Sequence, residues 1–383
     1  MTARVDHNLY PELRRFGATD ISACFNCGVC SAICPLSVDG ASFPRRMSRY
    51  AQLGLRDKLL ASPELWSCYG CSECTDSCPT KADPASFMGA ARRYAVASYD
   101  RTRLGYMLAT SRVFAAVFVV VLVTVLAGFM YSVHRPVDAS TLAFFAFVPT
   151  DFIHTLGLVS MIIMGIAALV GLFEMARHVA RGTAGGSTAG GARPTLGKTA
   201  GAAAYAIGTE SLAQTRFRKD CADAPEVQPW YLRRWFVHFA TMWGFLGLLG
   251  ATMLDYGLEL AGIKATGTPV PIWYPVRLLG TLAGAALIYG TTVLIVRRLR
   301  KSDRSSAHST TSDWIFLWML WVAGLTGFVL ELALYLPSAP AWGYPMFLLH
   351  VGVAMALVLL VPFGKFAHVL YRPVALFALK LRG

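Results

Sequence analysis

Eight of the nine cysteines in this 383-residue chain fall in two runs that share the spacing C-x2-C-x2-C-x3-C-P. The first run occupies residues 24–35, and the second run occupies residues 68–79. Three closely spaced thiolates can bind three irons of one cubane, and in ferredoxins with two cubanes the fourth cysteine of each run binds the other cubane. The two runs therefore predict two [4Fe–4S] clusters.

The expected ligand sets cross between the runs. They are Cys24, Cys27, Cys30 and Cys78 for the first cluster, and Cys68, Cys71, Cys74 and Cys34 for the second. Gly28 and Gly70 are expected to let backbone N–H groups approach the cluster sulfides. Zinc is the alternative metal, but structural zinc sites take four ligands in separated pairs, which a doubled run with a trailing proline does not match. Cys221 stands alone and is expected to be an unligated thiol.

The rest of the chain reads as a membrane protein. Hydrophobic residues make up 55% of the sequence and charged residues only 15%. Beyond about residue 108 the chain has six apolar stretches of roughly the 20 residues that a helix needs to cross a bilayer. They are predicted at about 112–131, 153–177, 235–256, 274–296, 313–336 and 345–370.

Membrane topology explains the net charge of +13 better than nucleic-acid binding does. Lys and Arg concentrate beside alternate span ends, within residues 177–181, 233–234, 297–301 and 372–382. Because such residues stay on the cytoplasmic side, the pattern predicts a multi-pass protein of the cytoplasmic membrane with both termini in the cytoplasm. No signal peptide is expected ahead of the first cysteine run.

Histidines near the ends of the predicted spans suggest haem. His350 and His368 lie 18 residues apart in the sixth span, so on one continuous helix they would project from one face about 27 Å apart. One imidazole in each leaflet suits two stacked b-type haems. His154 matches the depth of the outer histidine. His238 or His178 matches the inner one, with His238 preferred because His178 lies among arginines, where a basic residue is expected to snorkel.

Five further polar residues near span ends are candidates for the quinone site. Asp151, Asp255 and Glu331 are predicted at similar depth near the outer face, where they would relay protons from a quinol. Arg277 and Lys365 are candidates to pair with haem propionates. Each of the five has an ordinary alternative as an interfacial charge.

These patterns predict a mainly α protein. A helical, ferredoxin-like dicluster domain at residues 1–108 precedes a six-helix transmembrane bundle of cytochrome b type at residues 109–383. The bundle includes a long cytoplasmic loop at about 178–233. Its Gly/Ala/Ser/Thr tract, residues 182–204, is predicted to be a flexible linker.

At this level of detail the chain resembles known families. Residues 43–47 and 65–68 are similar to the small iron–sulfur (C-type) component of heterodisulfide reductase. Residues 238–247, 313–317 and 362–368 are similar to the cytochrome b (gamma) subunit of respiratory nitrate reductase. The fusion of both modules resembles the membrane-embedded C components of the quinone-interacting membrane-bound oxidoreductases.

The resemblance implies a subunit that passes electrons between menaquinone and cytoplasmic partners through two b haems and two clusters. The implied partners are the two flavoprotein subunits of the same complex, its A and B components, with adenylylsulfate reductase as the redox partner in sulfur metabolism. The chain departs from the nitrate reductase pattern because no second histidine follows His154 at a comparable interval. It also lacks the adjacent cysteine pairs of subunits that reduce heterodisulfides, which favours an electron conduit.

Two other interpretations stay open on the sequence. One is a haem-free, membrane-anchored iron–sulfur assembly subunit whose histidines only anchor helices. The other is a menaquinol:heterodisulfide-type oxidoreductase subunit of another pathway, which differs only in its partner.

Overall fold

The computed structural model describes residues 4–19, 21–37, 42–137, 142–184, 194–220, 228–265, 270–301, 306, 308–336 and 338–382. Cys221 lies outside these ranges, so its predicted role has no structural account. The described residues form helices and connecting turns without a strand. The prediction of a mainly α protein is therefore confirmed.

Short helices build the N-terminal part of the chain. They are α1 Leu9–Arg15, α2 Val29–Ala32, α3 Arg45–Gln52, α4 Arg56–Leu60, α5 Glu73–Asp76, α6 Pro84–Tyr99 and α7 Leu104–Thr110. Their apolar faces enclose a core that contains Phe16, Met47 and Trp66, each almost fully buried. The same core extends to Met175 and Tyr371 of the membrane half. The N-terminal part is therefore packed against the membrane helices rather than merely tethered to them.

Among its described residues, the membrane half contains six helices that are long and apolar enough to cross a bilayer. The helices of this half are α8 Arg112–Tyr131, α9 Phe144–Phe147, α10 Thr150–Ala184, α11 Leu196–Ala204, α12 Thr215–Asp220, α13 Arg234–Leu260, α14 Pro275–Leu299, α15 Thr311–Ala333, α16 Gly343–Leu360 and α17 His368–Arg382. The six candidate spans are α8, α10, α13, α14, α15 and α16. The predicted number of spans is confirmed, and five of them match the predicted positions closely.

The sixth span departs from its prediction. The helix α16 ends at Leu360, and after a turn and the 3-10 helix Lys365–Ala367 a separate helix, α17, begins at His368. Pro362 lacks an N–H donor and clashes with a continuing helix, and Gly364 adopts an extended conformation. The expectation that His350 and His368 share one face of a continuous helix is therefore wrong.

The predicted flexible linker is also partly wrong. Residues 196–204 form α11, since alanine is the strongest helix former, and this helix packs against α17. A π-helix, Tyr205–Leu212, continues directly from it. The part of the predicted linker at 185–193 lies outside the described residues.

Glycines allow α13 and α14 to approach each other closely. A methyl group at Gly244 would lie 2.5 Å from the backbone N of Leu287 and 2.8 Å from the carbonyl O of Ala283. A methyl group at Gly290 would lie 2.9 Å from the backbone N of Thr241. Since these neighbours are backbone atoms, they cannot rotate away, and the two helices must separate to accept a larger residue.

The substitution Gly244→Ala is expected to destabilise the protein by about 1–3 kcal/mol, the usual range for overpacking. Thermal unfolding in detergent would measure this as a lower Tm. Gly250→Ala is the matched control, because its added methyl group meets no atom within 4 Å. Equal Tm values for the two variants would contradict the close packing of these helices.

Candidate metal centres

The two cysteine runs fold in the same way. In the first run, Asn26 and Gly28 have φ of 62° and 93°, and in the second run, Gly70 and Ser72 have φ of 71° and 73°. These left-handed residues occupy equivalent positions, and in each run a short helix, α2 or α5, follows. The turns direct backbone N–H groups inward, and the N–H of Gly70 donates to Sγ of Cys68 at 3.4 Å. The repeated spacing of the cysteines is therefore matched by the same loop conformation in both runs.

The structure places Cys78 near Cys30 of the first run, which also has Cys24 and Cys27 as neighbours. Burial raises the pKa of Cys30, and the neighbouring Cys24, Cys27 and Cys78 raise it further by charge repulsion. Burial also acts to raise the pKa of Cys78, but hydrogen bonds from Thr80 and from nearby backbone N–H groups outweigh it and lower the value. Cys78 therefore loses its proton more readily than an ordinary thiol.

The structure likewise brings Cys34 to the second run. Burial raises the pKa of Cys34 to about 11, and repulsion from Cys68 and Cys71 contributes to the shift. Burial also raises the pKa of Cys74 far above the usual thiol value, again with contributions from Cys68 and Cys71. Cys34 therefore lies near Cys68, Cys71 and Cys74 of the second run, and Cys78 lies near Cys30 of the first run.

These two groups fit iron–sulfur clusters better than zinc. All eight cysteines are free of disulfides. Where the chain is described, no three His, Cys, Asp or Glu side chains converge enough to hold a single metal ion. Zinc draws its ligands to about 2.3 Å from one centre, whereas a cubane spreads four thiolates over four irons. Buried thiols with raised pKa values also require a bound cation to become thiolates.

Two histidines lie close together at the end of the bundle that packs against the N-terminal part. The ring centres of His238 on α13 and His368 at the start of α17 lie 6.4 Å apart. Two imidazoles on opposite sides of one metal, with metal–nitrogen bonds of about 2 Å, would have ring centres roughly 6 Å apart. The inner histidine pair, as we call His238 and His368, therefore has the spacing of two axial ligands of one iron.

Hydrogen bonds set the tautomer of both rings. Nδ1 of His238 lies 3.0 Å from Oε1 of Gln214, and Nδ1 of His368 lies 2.6 Å from the carbonyl O of Lys365. Since both partners accept, each Nδ1 carries the proton and each Nε2 is free to bind a metal. Gln214 was not recognised in the sequence. Its positive φ of 52° and its almost complete burial become visible only in the fold.

The alternative inner ligand, His178, lies elsewhere. Its ring packs on Tyr99 of the N-terminal part, with ring centres 5.8 Å apart. The structure therefore brings His368 together with His238 and not with His178.

The outer histidines are arranged differently from the inner pair. Nδ1 of His350 lies 2.9 Å from Oγ1 of Thr326, whose hydroxyl donates to a backbone carbonyl, so Nε2 of His350 is also free. A methyl group at Gly327 would lie 3.2 Å from this imidazole. Among the ring contacts of the described chain, the one made by His154 is with Tyr256, at 4.4 Å between centres. The structure does not bring His154 and His350 into ring contact.

Four of the five predicted quinone-site residues form ion pairs within the chain. The pairs are Lys365–Asp313 at 3.1 Å, Arg277–Glu331 at 3.3 Å and Asp255–Lys264 at 2.6 Å. Asp151, the fifth, is exposed on α10. Asp255 and Glu331 thus belong to separate pairs rather than to one acidic cluster. Lys365 and Arg277 are each neutralised by a carboxylate of the chain itself.

The pair with Lys365 joins three parts of the fold. Asp313 is only 4% exposed and also lies 3.4 Å from a guanidinium nitrogen of Arg93 on α6. It caps α15 as well, through a reciprocal capping box with Thr310. One buried carboxylate therefore connects the N-terminal part, a spanning helix and the segment that precedes His368.

Arginines of the membrane half hold the second cysteine run. Arg372, one turn after His368, donates to the carbonyl O atoms of Trp66 and Ser67 at 2.9 and 3.0 Å. Arg234, one turn before His238, donates to the carbonyl O of Cys71 at 3.1 Å. The helices that carry the inner histidine pair therefore also position this run.

The comparisons with known proteins agree with this two-part arrangement. Residues 20–82 match the family model described as a 4Fe-4S dicluster domain, which confirms the predicted cluster type. Citrate utilization protein B of Escherichia coli is 35% identical over 156 residues, covering 40% of this chain and 39% of that protein. No solved structure matches.

Components of heterodisulfide reductases are also similar. The E component of the dihydromethanophenazine:CoB–CoM heterodisulfide reductase of Methanosarcina mazei is 26% identical over 159 residues, 38% of this chain and 60% of that protein. The C component of the H2:CoB–CoM heterodisulfide,ferredoxin reductase of Methanothermobacter thermautotrophicus is 30% identical over 62 residues, 16% of this chain and 34% of that protein. This chain thus spans between about a third and three fifths of these relatives.

The likeness to heterodisulfide reductase subunits is therefore confirmed, while the likeness to nitrate reductase gamma subunits and to quinone-interacting oxidoreductases stays a prediction. A second family model, described as citrate utilization protein B, matches residues 101–383, well over half of the sequence. This chain, a multi-pass membrane protein with an N-terminal dicluster domain, belongs to the citrate utilization protein B family.

Proposed function

We propose that this chain is a membrane subunit that passes electrons between menaquinone and a cytoplasmic redox partner. The groups it would hold, two [4Fe–4S] clusters and two b haems, supply one-electron transfer in short steps. The single observation that carries the proposal is the inner histidine pair, with ring centres 6.4 Å apart and both Nε2 atoms free, connected to the second cysteine run through Phe217 and Tyr69.

The residues have distinct tasks in this proposal. The crossed sets, Cys24, Cys27, Cys30 with Cys78 and Cys68, Cys71, Cys74 with Cys34, bind the clusters. The inner histidine pair binds one haem, and His350 with His154 binds the other. Gln214 and the Lys365 carbonyl orient the inner rings, because a hydrogen bond to Nδ1 directs Nε2 toward the metal.

The membrane carrier and the topology are proposed from a relative and from the distribution of charge. The Methanosarcina relative is named for dihydromethanophenazine, which favours a reduced organic carrier as electron donor. We propose menaquinone for this chain, in the cytoplasmic membrane, with basic helix ends and both termini on the cytoplasmic side. Among the five polar candidates, Glu331 with its Arg277 partner is the best placed for a quinone, since Thr281 also donates to it, at 3.3 Å.

The cytoplasmic partner is proposed to be a flavoprotein. The resemblance to quinone-interacting oxidoreductases favours their two flavoprotein subunits, the A and B components, and adenylylsulfate reductase in sulfur metabolism. The family match favours a second candidate, a redox partner that serves citrate use. Proteins that copurify with the chain from its own membranes would decide between these two partners.

Cofactor content and reduction by a quinol test the function directly. Purified chain in detergent would be analysed for iron, acid-labile sulfide and haem b, the last as its pyridine haemochrome. Menadiol, a soluble menaquinol analogue, should then reduce the haem before the clusters. Clusters without haem b would favour the haem-free assembly subunit and contradict the proposal, and so would haem that menadiol does not reduce.

A further inference from the structure

The second cysteine run lies next to the inner histidine pair. Tyr69, between Cys68 and Cys71, stacks on Phe217 with ring centres 5.6 Å apart. Phe217 in turn makes an edge contact with His238 at 5.7 Å. Together with the arginines that hold its carbonyls, these contacts make the second run the part of the dicluster domain nearest the inner histidine pair.

The beginning of the first run is open to solvent. Phe25 is 64% exposed, an unusual position for a large apolar side chain within a metal-binding loop. Cys27 is the only exposed cysteine among the eight that the structure describes, and Val29 beside it is exposed as well. An exposed cluster edge with apolar residues around it is suited to transient contact with another protein.

A basic cleft opens beside this exposed edge. It encloses about 800 Å³ and is lined by Cys24, Phe25 and Asn26 on one wall. The opposite wall carries Arg45, Arg46 and Arg49 of α3, and no aspartate or glutamate lines the cleft among the described residues. We call this feature the arginine cleft.

Among the described residues, one of the three arginines of the cleft has a carboxylate partner. Arg46 forms an ion pair with Glu64 at 2.6 Å. Arg49 is exposed, and the guanidinium of Arg45 lies over the first run, so that a methyl group at Gly28 would meet it at 3.1 Å. Positive charge thus stands directly at the edge of the first run.

We propose that the arginine cleft and the exposed edge of the first run form the docking port for an acidic surface of the cytoplasmic redox partner. The second run then lies between this port and the inner histidine pair. Complementary charge would steer the partner and orient it with its own redox group toward Cys27. The inference rests on the two clusters of the proposed function, but not on the haems or on the identity of the partner.

Charged small oxidants test the port without the partner. The full chain would be reduced with dithionite and mixed with ferricyanide, an anion, or hexaamminecobalt(III), a cation, and cluster absorbance would be followed. Each reaction moves one electron from a reduced cluster to the oxidant, giving ferrocyanide or cobalt(II). Arg49→Glu is expected to slow the reaction with ferricyanide about fivefold or more at low ionic strength and to accelerate the reaction with the cation.

Lys58→Glu is the matched control, because Lys58 is an exposed cation of the same domain that does not line the cleft. It should leave both rates nearly unchanged, and high salt should remove the effect of Arg49→Glu. Equal effects of the two variants, or none for Arg49→Glu, would overturn the port. A preparation without clusters would instead contradict the proposed function.

Discussion

Replacing His368 with leucine should leave the purified chain with about half of the haem b of the unchanged chain, because one of the two proposed haems would lose a ligand. His238→Leu should have the same effect, since these two rings face each other at 6.4 Å. Pyridine haemochrome per mole of protein measures the loss. Low-temperature absorption spectra should then show a single species of haem b.

His178→Leu is the control that separates the two sequence-based alternatives for the inner ligand. Its ring packs on Tyr99 and does not face His368, so haem content should remain near that of the unchanged chain. Retained cluster signals in all three variants would exclude general misfolding. Full haem content in His238→Leu, with loss in His178→Leu, would refute the inner histidine pair as the ligand set.

Replacing the fourth cysteine of either run with serine should damage the cluster that contains the other three cysteines of the opposite run. Cys34→Ser is expected to alter or remove the same electron paramagnetic resonance signal as Cys71→Ser. Cys78→Ser should instead affect the signal that Cys27→Ser affects. The physical reason is that these thiols are neighbours. Repulsion from Cys68 and Cys71 raises the pKa of Cys34, and repulsion from Cys78 raises the pKa of Cys30.

The comparison needs reduced samples in which the two signals are resolved, with iron content measured in each variant. Cys27 and Cys71 serve as the reference variants because each lies inside its own run. If Cys34→Ser reproduced the pattern of Cys27→Ser, each run would hold its own cluster and the crossing would be wrong.

The cluster type and the number of spans could be predicted from the sequence, because both depend on local sequence patterns. Four thiolates at fixed intervals have few structural solutions, and a lipid-length apolar segment has few alternatives to a spanning helix. The prediction of the sixth span was wrong because residues 361–370 are mainly apolar. The apolar segment therefore extends past Pro362 and Gly364, where the helix has already ended. Those two residues were the available signal, and they should have ended the helix in the prediction.

The residues that complete the inner site could not be predicted from sequence. Gln214 reaches His238 from a segment 24 positions earlier, after a π-helix that no periodicity indicates. The arginines at positions 234 and 372 do stand four residues from the two histidines, which is visible in the sequence. Their role, however, depends on a cysteine run that lies roughly 160 and 300 positions away along the chain.

The buried carboxylate Asp313 has a consequence for biosynthesis. The N-terminal part is translated first, yet its contacts to Asp313 and Arg372 join residues 220 and about 305 positions apart. Contacts of such sequence separation form late, since a long loop must close before they are made. The cysteine-bearing part should therefore emerge before the residues that hold it have been synthesised, and dock on the bundle only when α17 is complete. Synthesis of the cysteine-bearing part and its docking on the membrane part would then be consecutive events.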